Sequence, residues 1–240
     1  MSRILALIRG DATNISRDPL LILSILGPLL LGLVMRFGLP LAADILRAET
    51  GFELTEHYDF IVSFLLLFTP MMLGILTGFV ILDERDDQIL AYYAVTPLTK
   101  TGYFIYRTTA PFLMGFFFSF LLLALIPQVE LNFLLLIPAI LMASLQAPIF
   151  TLLLGSFAEN KVEGMALSKG LGIIFLAPVV GYLVDSNWQL LAGVFPPYWV
   201  SKAFLASLGG EGYWFYVGAG VFVHLFFLAV LLRKFSRRAN

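Results

Sequence analysis

The residues of this chain with the most chemistry to offer are five charges in succession, Asp83-Glu84-Arg85-Asp86-Asp87, set between two long apolar runs. Ile89, Leu90, Tyr93 and Ala94 follow at helical spacing, and Pro97 ends the pattern. Asp83 and Asp86 suit the start of a helix, where carboxylates answer free N–H groups and the positive end of the helix dipole. The spacing therefore predicts a charged amphipathic helix over 82–97. Its chemistry is recognition rather than bond making: the apolar face seats in a groove while Glu84, Arg85 and Asp87 pair at the rim. No catalytic set accompanies it. There is no Gly-x-x-x-x-Gly-Lys-Ser/Thr phosphate loop, and cysteine is absent, which removes thiolate catalysis and Cys-metal sites together. Gly155-Ser156 lacks the context of a serine nucleophile, and His224 is the one histidine inside an apolar run. His57, among Glu53, Glu56 and Asp59, reads as a solvated loop residue rather than a metal ligand. The chain is accordingly expected to be no enzyme, with no metal or cofactor of its own.

The elements that position this segment follow from composition. Of 240 residues, 60% are hydrophobic and 13% charged, and the charges cluster between apolar runs. Those runs reach about 18 residues or more, the length that crosses a bilayer. An all-α, polytopic membrane protein is predicted, a single domain over 1–240. Its six spans are Leu20 to Met35, Ile61 to Leu82, Thr108 to Ile126, Phe133 to Phe157, Met165 to Val184 and Tyr213 to Leu232. Of the 15 Lys and Arg residues, all but Arg36, Arg47 and Lys202 then fall on one side, which the positive-inside rule makes cytoplasmic, together with both termini and the 83–100 loop. The run Ile4 to Ile8 is too short for a signal-peptide core, so the first span is expected to act as the uncleaved insertion signal.

Three further segments have character. Over 1–19, Ile4, Leu7, Ile8 and Ile15 share one helical face with Arg3, Arg9 and Arg17 opposite, the pattern of an interfacial helix. Asp11 falls on its apolar face, so this helix is expected to touch protein as well as lipid. Residues 41 to 60 read as a polar external loop with a short helix around Ala42 to Arg47. Residues 185–212 read as an external re-entrant hairpin, with Pro196-Pro197-Tyr198-Trp199 as an aromatic anchor and gate. Arg36, Arg107 and Lys169 lie near span ends, where they can snorkel. Mid-span charges that would mark an ion or proton relay are missing. His224 reads as an interhelical hydrogen-bond donor or a substrate contact. Met71 and Met72, beside Pro70, with Phe79, could form an adaptable hydrophobic path.

The segment Leu82-Asp83-Glu84-Arg85-Asp86-Asp87, with the exit Val95-Thr96-Pro97-Leu98-Thr99-Lys100-Thr101-Gly102-Tyr103, resembles the coupling loop of ABC exporter permeases of the type-two class, including bacterial drug-efflux permeases. The N-terminal helix ending Arg17-Asp18-Pro19, the six spans, the Pro196-Pro197-Tyr198-Trp199 element and the basic tail agree with it in order. The resemblance implies two such six-span chains, identical or related, paired with two copies of a separate ABC ATPase subunit that holds ATP and Mg. It implies coupling through 83–100, a connecting helix at 1–19 and export of a drug, peptide antibiotic or lipid from a bacterial or archaeal cytoplasmic membrane. Membrane lipid is then a partner and nucleic acid is not. A self-contained channel or secondary carrier, or an intramembrane hydrolase, is the alternative.

Overall fold

The computed structural model describes residues 13, 19–89 and 99–239, and among them there is no strand. A chain this apolar must satisfy its backbone N–H and C=O groups without water, and helices do so within each segment. In chain order the helices are α1 (Pro19–Thr50), α2 (Tyr58–Asp86), α3 (Thr99–Leu125), α4 (Phe133–Phe157), α5 (Lys161–Leu171), α6 (Leu176–Leu183), α7 (Pro196–Ser207) and α8 (Tyr213–Ala239). Turns of 3-10 helix stand at Leu54–His57, Gly172–Phe175 and Asn187–Val194. Six stretches are long and apolar enough to cross a membrane: Leu26–Thr50, Leu54–Asp86, Gly102–Leu125, Phe133–Phe157, Lys161–Leu183 and Tyr213–Arg237. The expected six-span, all-helical architecture is present.

Its boundaries differ from those read in the sequence. α1 does not stop near Met35 but runs to Thr50, absorbing both the first half of the expected external loop and the separate short helix expected around Ala42 to Arg47. Pro28 and Pro40 lie inside this helix without ending it. Arg36 is consequently far from either end of α1, and instead of snorkelling it donates to the Leu125 carbonyl at 3.1 Å, where α3 finishes. Gln128 returns a bond to the Arg36 carbonyl at 2.7 Å. The fifth span is broken: α5 and α6 are joined through the 3-10 turn at Gly172–Phe175. The basic tail continues α8 to Ala239.

The largest correction concerns the charged segment. Asp83, Glu84, Arg85 and Asp86 do not begin a new helix; they form the last turn of α2, with Asp87 as its C-cap. Gln88 then takes the left-handed conformation, φ 58°, which breaks the helical path before Ile89. The expected amphipathic face beyond it, Leu90, Tyr93, Ala94 and Pro97, lies outside the described residues, as do Arg3, Arg9, Asp11, Arg17 and Asp18 of the expected N-terminal helix.

α4 is the centre of the bundle, with 61% of its span buried against 17% for α1 and for α8. Its closest neighbour is α2, admitted by two glycines. A Cβ on Gly74 would lie 2.4 Å from the Ala147 carbonyl oxygen, and one on Gly78 would lie 2.7 Å from the Leu154 side chain. Thr151 uses this approach, its hydroxyl lying 3.0 Å from both the Gly74 and the Ala147 carbonyls. Small residues that let backbones meet are the main means of helix association where lipid is as apolar as the side chains. Gly74→Ala should therefore lower the midpoint of thermal unfolding in detergent by an amount equivalent to about 1–3 kcal/mol, the usual cost of overpacking. Gly218→Ala on α8, where a Cβ meets nothing within 4 Å, should leave it unchanged or raise it slightly.

Candidate functional site: a charged clamp at four helix ends

The last turn of α2 presents four consecutive side chains at about 100° to one another, so each faces a different neighbour. Arg85 points at the end of α4. Its guanidinium donates to the Ala158 carbonyl at 2.9 Å and to the Gly155 carbonyl at 2.8 Å. The last carbonyls of a helix lack partners within it and carry the negative end of its dipole, so a cation here satisfies both demands. Asp86 and Asp83 face the start of α5. The Lys161 backbone N–H donates to the Asp86 carboxylate at 3.1 Å, and the Lys161 ammonium pairs with Asp83 at 2.7 Å. The turn between α4 and α5 is capped in its own right. The Asn160 side chain accepts from the Glu163 N–H at 3.0 Å, and Glu163 reaches back to the Glu159 N–H at 2.7 Å.

Glu84 faces the start of α3, where its carboxylate accepts from both the Arg107 guanidinium and the Tyr103 hydroxyl. The group is enclosed, with the Arg107 and Glu84 side chains only 5% and 13% exposed. The guanidinium also lies against the rings of Tyr103 and Tyr106, at 5.4 and 5.6 Å from their centroids. Glu84 is thus no rim charge, contrary to the expectation from sequence, and Arg107 does not snorkel. Asp87, by contrast, is exposed. One turn of α2 therefore ties the end of α4, the start of α5 and the start of α3 to itself, and the 88–98 segment leaves from it and returns to α3.

The other expected site residues are not brought together. Met72 faces α1, its methyl group against Gly27, and Phe79 packs beside Gly164 of α5. Met71 is partly buried on the main core. His224 is fully buried on α8, and its Nδ1 bonds the Gly220 carbonyl of the same helix at 2.7 Å, so the expected interhelical bond is an intrahelical one. At the opposite end of the bundle, Pro196 and Pro197 begin α7 rather than breaking a hairpin, since proline suits the first helical turn. Tyr198 and Trp199 are buried, 1% and 8% exposed, rather than facing lipid. The Trp199 indole N–H donates to the Gly193 carbonyl at 2.6 Å, and burial pushes the Tyr198 phenol up to about 12. Burial also lowers the neighbouring Lys202, against the opposing pull of Asp185. The exposed tryptophans are Trp188 and Trp214. His57 bonds the Tyr182 hydroxyl at 2.6 Å and Glu53 pairs with Arg47 at 2.9 Å. Among the described residues no group of three or more acidic or histidine side chains is placed to hold a metal.

Sequence reasoning missed Tyr103, Arg107, Lys161 and the α4 carbonyls. A signal existed for one of them: Glu84 and Arg107 are opposite charges at the near ends of consecutive spans, and antiparallel neighbours bring such ends together.

Six membrane-capable stretches, with the ends of four helices drawn together by charge, define a multi-pass membrane protein. Residues 11–232 match the family model described as "Fluoroquinolones export permease protein Rv2686c-like", and the chain belongs to that family of export permeases. It is 31% identical over 233 residues to "Fluoroquinolones export permease protein Rv2686c" of Mycobacterium tuberculosis strain ATCC 25618 / H37Rv, covering 96% of this chain and 92% of the relative. The same figures hold for "Fluoroquinolones export permease protein MT2760" of strain CDC 1551 / Oshkosh. No solved structure matches the chain.

The clamp separates two kinds of acidic residue within one motif. Glu84→Lys should destabilise the purified protein by about 3–5 kcal/mol, because it breaks a buried ion pair and sets a second cation against the Arg107 guanidinium. Asp87→Lys should stay within about 0.5 kcal/mol of the parent, as solvated surface changes do. Thermal unfolding of the two variants checks both, and the swap Glu84→Arg with Arg107→Glu should recover part of the first loss.

Proposed function

We propose that this chain is the membrane subunit of an ATP-driven exporter that expels amphipathic drugs, with fluoroquinolone-type compounds as the first substrate to test. The observation that carries this reading is the clamp at the foot of the 88–98 segment. A partner that moves that segment moves the ends of α2, α3, α4 and α5 together, because Glu84, Arg85, Asp83 and Asp86 bind them to one another. The names of the family and of its mycobacterial relatives support the transport class and suggest the substrate.

In this reading two copies of the chain, or this chain and a related one, pair with two copies of an ABC ATPase that holds ATP and Mg. The basic end faces the cytoplasm of a bacterial or archaeal cell. Segment 1–19 lies along the membrane surface as a connecting helix, and 185–212 dips into the outer face as a re-entrant element. Asp87 and the segment after it receive the ATPase, and closure of the ATPase dimer shifts the permease from an arrangement open to the inner side toward one open to the outside. Such a shift requires only that the ATP-bound ATPase favour one arrangement over the other. The buried Tyr198 and Trp199 make α7 a fixed brace at the outer exit rather than a flap. Met71, Met72, Phe79 and His224 contribute to helix faces that repack during the change.

The test is co-expression with the candidate ATPase, followed by pull-down and by fluoroquinolone uptake into inverted vesicles. Retention of the ATPase, with ATP-dependent uptake that is lost in Asp87→Lys without loss of expression, is the expected result. Uptake by the chain alone, driven by an ion gradient, would instead make it a self-contained carrier. Orientation has its own check. Single cysteines, in a chain that has none, should react with an impermeant thiol reagent from outside at positions 50 and 205 and be silent at 90.

A further inference from the structure

We propose that a recess between the ends of α4 and α8 binds the phosphate of an anionic phospholipid. The recess has a volume of about 440 Å³ and is lined by Ser156, Phe157, Glu159, Lys234 and Arg237. It lies at the same end of the bundle as the clamp, where a lipid of that leaflet places its headgroup. Two of its five lining residues are cations, one is a carboxylate, Ser156 adds a hydroxyl to the wall, and Phe157 supplies an apolar surface that is half exposed. The Lys234 ammonium stands 3.4 Å from the Phe157 ring centroid, a cation–π contact that fixes its height at the membrane boundary. Carbonyls at a helix end would by themselves repel an anion placed close to them. The Arg85 guanidinium already occupies those of Gly155 and Ala158 and removes that obstacle.

The shape of the approach selects a lipid over a free anion. Phe222, Phe226 and Val230 are all exposed, and with Lys234 they recur every four residues on α8, a row that slants around the helix by about 40° per step, with Arg237 nearly one turn further on. From Phe222 to Lys234 this stripe is about 18 Å long at 1.5 Å per residue, close to the depth of one leaflet of a hydrocarbon core about 30 Å thick. An acyl chain lying on the three apolar residues brings its phosphate to the two cations, an arrangement recurrent where basic pockets lie between spanning helices. A free phosphate has no use for the stripe.

The proposal rests on the reading of this end as the cytoplasmic face only for which leaflet supplies the lipid. Its test involves neither transport nor the ATPase, so its failure leaves the export reading standing. The full chain, purified in detergent, is equilibrated with equimolar phosphatidylglycerol and phosphatidylcholine, and the lipids it retains are counted by native mass spectrometry. Wild type should retain phosphatidylglycerol preferentially. Lys234→Gln and Arg237→Gln should each reduce the preference about fivefold, the effect of about one unit of charge at a membrane surface, and together should bring it near parity. Arg233→Gln, an exposed neighbour outside the recess, should keep it. Glu159→Gln should raise it, an opposite change that misfolding cannot imitate. Equal retention of the two lipids by wild type, or a preference untouched in the double variant, overturns the proposal. So does inorganic phosphate that abolishes the preference at millimolar concentration, since the recess would then be a site for a free anion.

Discussion

Arg85 stands where two demands on a membrane protein meet. A helix that ends at the edge of hydrocarbon must find partners for its last carbonyls, and a charge at that depth must find compensation. α4 is the most buried of the six spans, and the guanidinium of Arg85 answers its Gly155 and Ala158 carbonyls. Removing it would leave the helix end and the cation's neighbours unsatisfied together. Around this contact the remaining charges fall into place: Asp83 and Asp86 on the start of α5, and Glu84 on Arg107 and Tyr103 at the start of α3.

The two ends of the bundle are built differently. At the basic end, ion pairs and caps draw three helix ends to the last turn of α2. At the other end the packing is aromatic and small-residue based, with Tyr198 over Gly181, Trp199 beside Gly193 and Gly220, and Ser63 bonded to Ser201 at 2.8 Å. Between them α2 and α4 touch through Gly74 and Gly78. Motion applied at the charged end is thus carried along a helix pair with no slack, since neither glycine leaves room for a methyl group.

Much of this was legible in the sequence because the bilayer imposes so few solutions. Apolar run length sets the spans, and the asymmetry of Lys and Arg sets the grouping of their ends. What was not legible depended on three-dimensional partners. The acidic run looked like the start of a helix because carboxylates prefer such positions. In the fold those carboxylates sit at the end of α2, where the helix dipole alone disfavours them, because Arg107, the Lys161 ammonium and the Lys161 backbone N–H outweigh it. Tyr198 and Trp199 looked like interfacial anchors from their type and from the prolines before them. Only the fold shows Gly193 making room for the indole and Gly220 for the Trp199 Cβ. The first span was expected to stop near Met35, yet α1 runs on through Pro40, held at its middle by the bonds of Arg36 and Gln128 to the end of α3 and the turn after it.

The clamp also restricts how this gene can vary. Four adjacent residues with four separate destinations are fixed in phase as well as in identity, because inserting or deleting one residue ahead of them would turn all of them by about 100° and misdirect every contact at once. Length changes in α2 are therefore closed to this lineage between Gly74, which sets the phase against α4, and Asp86. The phase that the clamp imposes ends with Asp86, the last of its contacts.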